Sequence, residues 1–363
     1  ILNSKPIIMK TKYTLIILLA SLIAGLSFGQ ETGYRKFPVN VSFVYPASIH
    51  GTQSVNYQYD FSLNMLTGVT GSIDGCEIGG LVNGNKGDVS GFQVAGIGNI
   101  TGGNFDGTQI GGIFSMADSV DGLQVGGIFS SSCKTEGLQI GGLVNICTSA
   151  EASIAGIANI NSGNQDGIQI AGIYNQAKEV KGVQIGLINI ADTIKNGVPI
   201  GLISIVKKGR YQEFEFAIAD YLSLGISFKL GVKQLYTIYT AGMSLTNDPL
   251  WVAGLGLGQL YEVNPRFSIQ PELVWYQYFP MDMQRQNRDT HVTHFKLGLV
   301  RNLSQNLAIS LAPSIYVSWK HRPYNHDEYG YEQSPVGPLF DVDSYDHNRI
   351  GIGFGLSAGI HLR

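Results

Sequence analysis

The spacing of apolar residues changes character along this chain, and the change marks out its elements. From about residue 210 onward, large apolar side chains recur at every second position. In "SLGISFKLGV" (223–232), Leu224, Ile226, Phe228, Leu230 and Val232 fall on one face of an extended strand. Ser223, Gly225, Ser227, Lys229 and Gly231 fall on the other. "NLAISLAPSIYVSW" (306–319) repeats the pattern, as does the final stretch, where Ile350, Ile352, Phe354 and Leu356 oppose Gly351, Gly353, Gly355 and Ser357. About eight such strands are expected, near 212–219, 222–232, 235–245, 250–261, 266–279, 291–301, 306–319 and 349–362. Large apolar residues backed by small or polar ones describe an outer-membrane strand, and an even number of roughly ten-residue strands fits a small transmembrane barrel. A soluble sandwich would carry more charge on its outward face.

The connections alternate in length. "VKQ" (232–234), "EVNPR" (262–266) and "NLSQN" (302–306) are tight, whereas 280–290 and 320–348 are long. Tight turns are expected on the periplasmic side and long loops outside. Trp251, Trp275 and Trp319 suit an interfacial girdle. Glu213, Glu215, Lys229, Glu272 and Lys296 fall on the inward face, where opposite charges can pair. An eight-stranded barrel is filled by its own side chains, so a wide pore is not expected.

Residues 75–209 obey a different rule. The phrase "GLQIGGLVNI" (137–146) recurs as "GFQVAGIGNI", "GLQVGGIFS", "GIQIAGIYN" and "GVQIGLINI". Its anchors stand at Gly75, Gly91, Gly107, Gly122, Gly137, Glu151, Gly167, Gly182 and Gly197, 14 to 16 residues apart. Gln occupies the third place at Gln93, Gln109, Gln124, Gln139, Gln169 and Gln184. Asn closes the phrase at Asn83, Asn99, Asn145, Asn159, Asn175 and Asn189. Self-similarity at this period marks a stacked solenoid. In a parallel β-solenoid, identical positions stack about 4.8 Å apart, so each amide bonds its copy and paired glycines allow a corner. The competing geometry is an antiparallel meander, whose natural period would be two strands with unlike turns; here every connection looks alike, which favours the solenoid. Between residue 30 and the repeats lie two further candidate strands, "FPVNVSFVYP" (37–46) and "SVNYQYDFSLNML" (54–66). They either cap the first coil or extend the barrel to ten strands.

Composition narrows the class. The chain has 363 residues, 47 of them glycine, and only 14% are charged, as in β-rich envelope proteins. A net charge of −3 and the lack of any basic run argue against a nucleic-acid partner. The first 29 residues read as a signal peptide. Met9 is the expected start, Lys10 and Lys12 form its basic region, and Tyr13–Leu26 its apolar core. Ser27 and Gly29 place cleavage before Gln30. No later apolar run is long enough for a spanning helix. The expected organisation is a signal peptide (1–29), N-terminal strands or cap (30–74), a β-solenoid (75–209) and a barrel (210–363).

Candidate chemistry is sparse. "GLSAG" (355–359) matches the Gly-x-Ser-x-Gly elbow, but Ser357 sits inside a strand pattern with no acid or helix to follow. "GLGLG" (254–258) is a glycine-lined strand interior rather than a phosphate loop. His291 and His294 are three apart on a strand and point to opposite faces. Acidic residues precede several anchors (Asp74, Asp106, Asp121, Glu136, Asp166). They read as Asp-Gly turn chemistry, with a stacked carboxylate row for Ca²⁺ as the sharper alternative. Asp341, Asp343 and Asp346 lie in an expected exposed loop that lacks the glycine and closing Glu of a calcium site, so no metal is assigned. Cys133 and Cys147 either pair in an oxidising compartment or fill repeat positions as small apolar side chains. No catalytic residue and no cofactor is expected. Residues 320–348, rich in Tyr, His, Asp and Glu, are the expected surface for a ligand or partner protein.

The repeat phrase resembles the short surface-repeat proteins of spirochaetes and Bacteroidota. "VNVSFVYPASIHG", "FSLNMLTGVTGSIDG" and the C-terminal strands are similar to uncharacterised outer-membrane β-barrel proteins of Bacteroidota. The resemblance covers most of the mature chain and implies an outer-membrane or cell-surface location in contact with membrane lipid. It carries over no catalytic residues. The expected fold is all-β, a solenoid of about nine repeats followed by an antiparallel, about eight-stranded outer-membrane-type barrel. The expected role is structural, adhesive or ligand-binding. Two rivals are a channel in which repeats and C-terminal strands form one larger barrel, and an envelope glycan-active enzyme. The enzyme ranks last, because the carboxylate pair it needs is missing outside the turn row.

Overall fold

The structure, a computed structural model, describes residues 33–245, 249–281, 290–321, 340–343 and 348–363. The expected signal peptide lies outside them. The described chain is almost entirely β-strand and holds a β-solenoid of about ten turns and a closed eight-stranded antiparallel barrel. It falls into two compact units, one ending at Gly156 and the other spanning Ile157–Arg363.

In the first unit every repeat is one coil, and corresponding strands pair in parallel. Gly75, Gly91, Gly107, Gly122 and Gly137 stand in direct register, as do the residues that flank them. A second wall is built from Thr67–Thr70, Val82–Asn85, Gly98–Thr101 and Phe114–Met116, also parallel. The two strands that precede the repeats join this stack: Arg35–Val44 pairs in parallel with Tyr57–Asn64, which pairs with Ser72–Gly79. They are the first coils of the solenoid and do not extend the barrel. Where the repeat shortens to 14 residues, the register between Phe129–Gly141 and Val144–Ala155 shifts after Thr135, and Ser153 takes the place opposite Gln139.

The stacking requires glycine at two places. Gly107 has φ +123°, and a Cβ there would stand 2.1 Å from the Gly91 carbonyl oxygen of the preceding coil. At the corner, a Cβ on Gly127 would stand 2.0 Å from the Gly112 oxygen. Coils this close admit no side chain at either position.

The second unit opens with further parallel coils from Ala158–Asn161 to Ile203–Lys208, and then changes topology. Eight antiparallel strands follow: β1 (Tyr211–Ala219), β2 (Leu224–Val232), β3 (Leu235–Ser244), β4 (Leu250–Gly258), β5 (Phe267–Pro280), β6 (Thr290–Asn302), β7 (Leu307–His321) and β8 (Asn348–Leu362). β8 pairs with both β7 and β1, for example Phe214 with Leu362, which closes the barrel. Solenoid and barrel are separate hydrogen-bonded sheets, so the repeats are not strands of a larger barrel. The chain enters β1 and leaves β8 at the end that carries the tight turns. The long connection expected over 320–348 begins only after His321, and Phe340–Asp343 is a short strand paired with β8.

Along each barrel strand, exposure alternates. Phe214, Phe216, Leu273, Trp275, Phe295, Leu299, Phe354 and Leu356 point outward and are exposed, while their sequence neighbours face the lumen and, Gly355 apart, are buried. An apolar outside and a polar inside is the polarity of a transmembrane barrel.

Candidate functional site: a filled lumen and a polar solenoid core

The inward positions of the barrel form two levels. Nearest the tight turns is a cluster of charges. Lys229, on β2, places its Nζ 2.6 Å from Glu272, 2.9 Å from Glu215 and 3.3 Å from Glu213. Lys296 pairs with Glu272 at 3.2 Å, and Arg363 with Glu213 at 2.6 Å. His361 bridges Glu213 (2.7 Å) and the Ser310 hydroxyl (2.7 Å) through its two ring nitrogens. Gln270 accepts from Lys229 and donates to Tyr211 and Glu213. Three carboxylates (Glu213, Glu215, Glu272) meet three full cations (Lys229, Lys296, Arg363), so formal charge cancels. Buried charges persist only when paired in this way.

Toward the long-loop end the filling is aromatic. His294 lies 4.0 Å from Tyr221 and 5.0 Å from Tyr316, centroid to centroid, and Tyr276 lies 5.4 Å from Tyr221. Small inward residues on neighbouring strands make this possible. A Cβ on Gly254 would stand 2.7 Å from the Tyr276 ring and one on Gly353 2.2 Å from the Tyr316 oxygen; at the tight-turn end, one on Gly258 would stand 2.5 Å from Tyr236. The "GLGLG" stretch is therefore a seat for tyrosines. All five charged residues assigned to the inward face are brought together. His361 and Tyr316 lie on the small-and-polar face that the alternation assigns to the interior, whereas Arg363 and the other buried tyrosines were missed. Their signal lay in the alternation along each strand, which sets Glu272, Val274, Tyr276 and Tyr278 on one face of β5.

Among the described residues, paired charges and rings thus reach across the lumen at both levels, as side chains do in small barrels. Outside it, a polar cleft of about 600 Å³ opens beside the tight turns, lined by Glu262, Arg266, Arg301, Asn302, Ser304 and Arg363. Glu262 there pairs with Lys233 at 2.8 Å.

The solenoid's interior is polar as well. In the first unit, Gln139 donates to Gln124, Gln124 to Gln109 and Gln109 to Gln93, at 2.8–2.9 Å. Asn83 donates to Asn99 at 3.0 Å, and Asn145 donates to the Ile154 carbonyl at 2.8 Å. In the second unit, Gln184 donates to Gln169 (2.7 Å), Asn159 to Asn175 (2.9 Å) and Asn175 to Asn189 (3.0 Å). Glu77 stands at the Gln place of its coil and accepts from Gln93 (2.7 Å), Asn85 (2.9 Å) and Asn64 (3.0 Å). The glutamine ladder runs in one donor direction, and a carboxylate, which only accepts, terminates it. Burial pushes the Glu77 carboxyl above the usual carboxylate range, against the opposing pull of these donors. Beside the ladders, Tyr59, Ile73, Val89, Phe105 and Val120 form an apolar column.

The remaining candidates separate. Ser357 is buried in β8 and donates to the Ala312 carbonyl, so no nucleophile elbow exists. His291 stacks on Trp275 outside the barrel while His294 is inside. Asp106, Asp121 and Glu136 are register neighbours and exposed, but no metal-binding group of His, Cys, Asp or Glu forms among the described residues. Asp341 and Asp343 fall on the short strand Phe340–Asp343, and Asp346, with most of 320–348, lies outside the described residues. Cys76, Cys133 and Cys147 are free thiols, Cys147 buried and Cys133 exposed. No family model, no curated protein and no solved structure matches this chain.

Proposed function

We propose that this protein is a non-enzymatic outer-membrane protein of a Gram-negative envelope, exported through a cleaved signal peptide, whose barrel is an anchor and whose solenoid is a scaffold for structure, adhesion or binding. One observation carries the reading: a barrel with an apolar outer band whose lumen is filled by a charge-balanced cluster and stacked rings. An outward face of Phe, Leu, Ile and Trp at this density is stable against acyl chains, not water. A filled lumen supports an anchor over a channel. The chain enters and leaves the barrel at the tight-turn end, which by the usual rule faces the periplasm and puts the repeats on that side. Residues 320–348 are the proposed contact for a surface ligand or partner protein.

The test is direct. The full chain is expected to fractionate with outer membrane and to migrate differently in gels before and after boiling. Recovery as a soluble monomer without detergent would sink the anchor. Steady conductance in planar bilayers would replace it with a channel. Protease treatment of intact cells is expected to spare the repeats, and their cleavage would place them at the surface.

A further inference from the structure

The coils in the second unit have their polarity reversed relative to a soluble solenoid. The amides of Gln169, Gln184, Asn159 and Asn175 are fully buried, while branched aliphatic side chains line the outside of the glycine corner. The residue that follows each corner glycine, Ile157, Ile173, Leu187 and Leu202, is 39–48% exposed at every coil. Charge is segregated as well. Between Gly167 and Gln176, Gly182 and Ile190, and Gly197 and Ile205 there is no Asp, Glu, Lys or Arg; Lys178, Glu179, Lys181, Asp192, Lys195, Lys207 and Lys208 all lie on the other part of the coil. The first unit repeats the row with Leu81, Ile113, Ile128 and Leu143.

This apolar edge meets the barrel. The strands Val198–Ile200 and Ile203–Lys208 neighbour β2 and β3. Thr237, on the outer face of β3 and two residues from the tight turn, donates to the Gly201 carbonyl at 3.0 Å. Gly201 lies at the corner itself, between the exposed Ile200 and Leu202. The outward Val232 and Thr237 are buried there, whereas Leu224 and Ile226, farther along the same wall, are about half exposed.

We infer that the glycine-corner edge of coils 157–209 lies in the membrane interface beside the barrel, with phospholipid acyl chains covering its Ile/Leu row and the charged edge in water. The inference rests on the barrel being a membrane anchor, since the edge is continuous with the barrel's apolar wall. It makes the solenoid an interfacial element held by one amphipathic face, as amphipathic helices are, and explains a core of amides under an aliphatic surface.

The experiment uses the full chain refolded into phosphatidylcholine vesicles with and without brominated acyl chains, which quench tryptophan on contact. In the unaltered protein, Trp251, Trp275 and Trp319, all on the barrel's outer face, report whether the barrel is in the bilayer. In a background with these three changed to Phe, single tryptophans are placed at Leu187→Trp on the apolar edge and Lys178→Trp on the charged edge. Loss of most of the emission at 187 and little at 178 is expected. Quenched barrel tryptophans with an unquenched 187 would overturn the inference and leave the anchor standing. Such a result with a dimer in sedimentation would assign the edge to a second copy. Equal quenching at 187 and 178 would overturn the one-sided placement, and no quenching anywhere would overturn both readings. If the tryptophan-free background does not refold, Leu187→Cys and Lys178→Cys in a Cys76→Ser, Cys133→Ser, Cys147→Ser chain answer the question by labelling with a water-soluble maleimide. Site 178 is expected to react and 187 to be protected by vesicles; equal reactivity overturns the inference.

Discussion

Replacing Lys229 by Met keeps a four-atom apolar stem, with sulfur in place of Cδ, and removes the ammonium group. That group touches three carboxylates, at 2.6, 2.9 and 3.3 Å, from a side chain only 1% exposed. A unit pair at 2.9 Å is worth about 6 kcal/mol at an effective dielectric near 20, most of it cancelled by the desolvation of both ions. Removing one partner restores none of that desolvation. Glu272 keeps Lys296, and Glu213 keeps Arg363 and His361, but Glu215 loses its contact cation, and the lumen's formal balance of three against three becomes three against two. The expected loss is about 3–5 kcal/mol, the usual result of orphaning a buried charge. It is measured by urea unfolding in detergent micelles, followed by tryptophan emission and by gel migration without boiling. The double variant Lys229→Met, Glu215→Gln restores the balance and is expected to recover part of the loss, since contacting sites couple. A single variant within about 0.5 kcal/mol of the parent, or a double variant at the sum of the two singles, would refute the claim that this cluster holds the lumen.

Three further outcomes concern the solenoid. The Glu77 carboxyl is raised by burial, so folding favours its protonated form. Its contribution is fully present below the ordinary carboxyl pKa and is lost as pH rises through the raised folded value. The stability of coils 57–101 relative to Glu77→Gln, read by amide hydrogen exchange, is therefore expected to fall as pH rises above the ordinary carboxyl pKa of about 4; a flat or rising difference contradicts it. Gly107→Ala sets a Cβ 2.1 Å from the Gly91 oxygen at φ +123° and is expected to cost about 2–4 kcal/mol. Gly209→Ala, at φ +77° with open space around it, costs only about 1–2 kcal/mol; equal losses in chemical denaturation would dismiss the stacking clash. Gln109→Met removes the 2.8 Å donor of the Gln93 oxygen and the 2.9 Å acceptor of the Gln124 amide, leaving them only the longer contacts to Thr101 (3.5 Å) and Ser131 (3.4 Å), and is expected to lower stability by about 1–3 kcal/mol, whereas an unchanged unfolding midpoint would make the ladder energetically idle.

Local patterns carried most of the architecture. A period of 14 to 16 residues with like connections favoured coils over a meander, and the recurrence of Gln and Asn at fixed places predicted amides stacked on their copies; the structure adds that they face inward. Strict alternation in 210–363 likewise determined which side chains fill the lumen, because parity on a strand is a property of the chain and not of its neighbours. Glu77 stayed hidden, since a carboxylate at a glutamine place reads as a surface substitution until the donors converging on it from adjacent coils are visible.

What alternation could not determine is register between strands. That Gly254 and Gly258 seat Tyr276 and Tyr236, or that Lys229 reaches Glu272 across the lumen, depends on how far each strand is staggered against the next, and closure of β8 onto β1 sets that stagger for the whole barrel at once. The same holds for the solenoid's outer face. Each repeat puts one Ile or Leu at its corner, which alone is an ordinary exposed residue; only stacking turns those single residues into an apolar edge, and only the packing of Gly201 on Thr237 brings that edge to the barrel wall. Sequence determined what each residue faces, because that is local geometry. Tertiary structure decided which residues meet, because contact between distant segments is fixed by closure and stacking that no single segment contains.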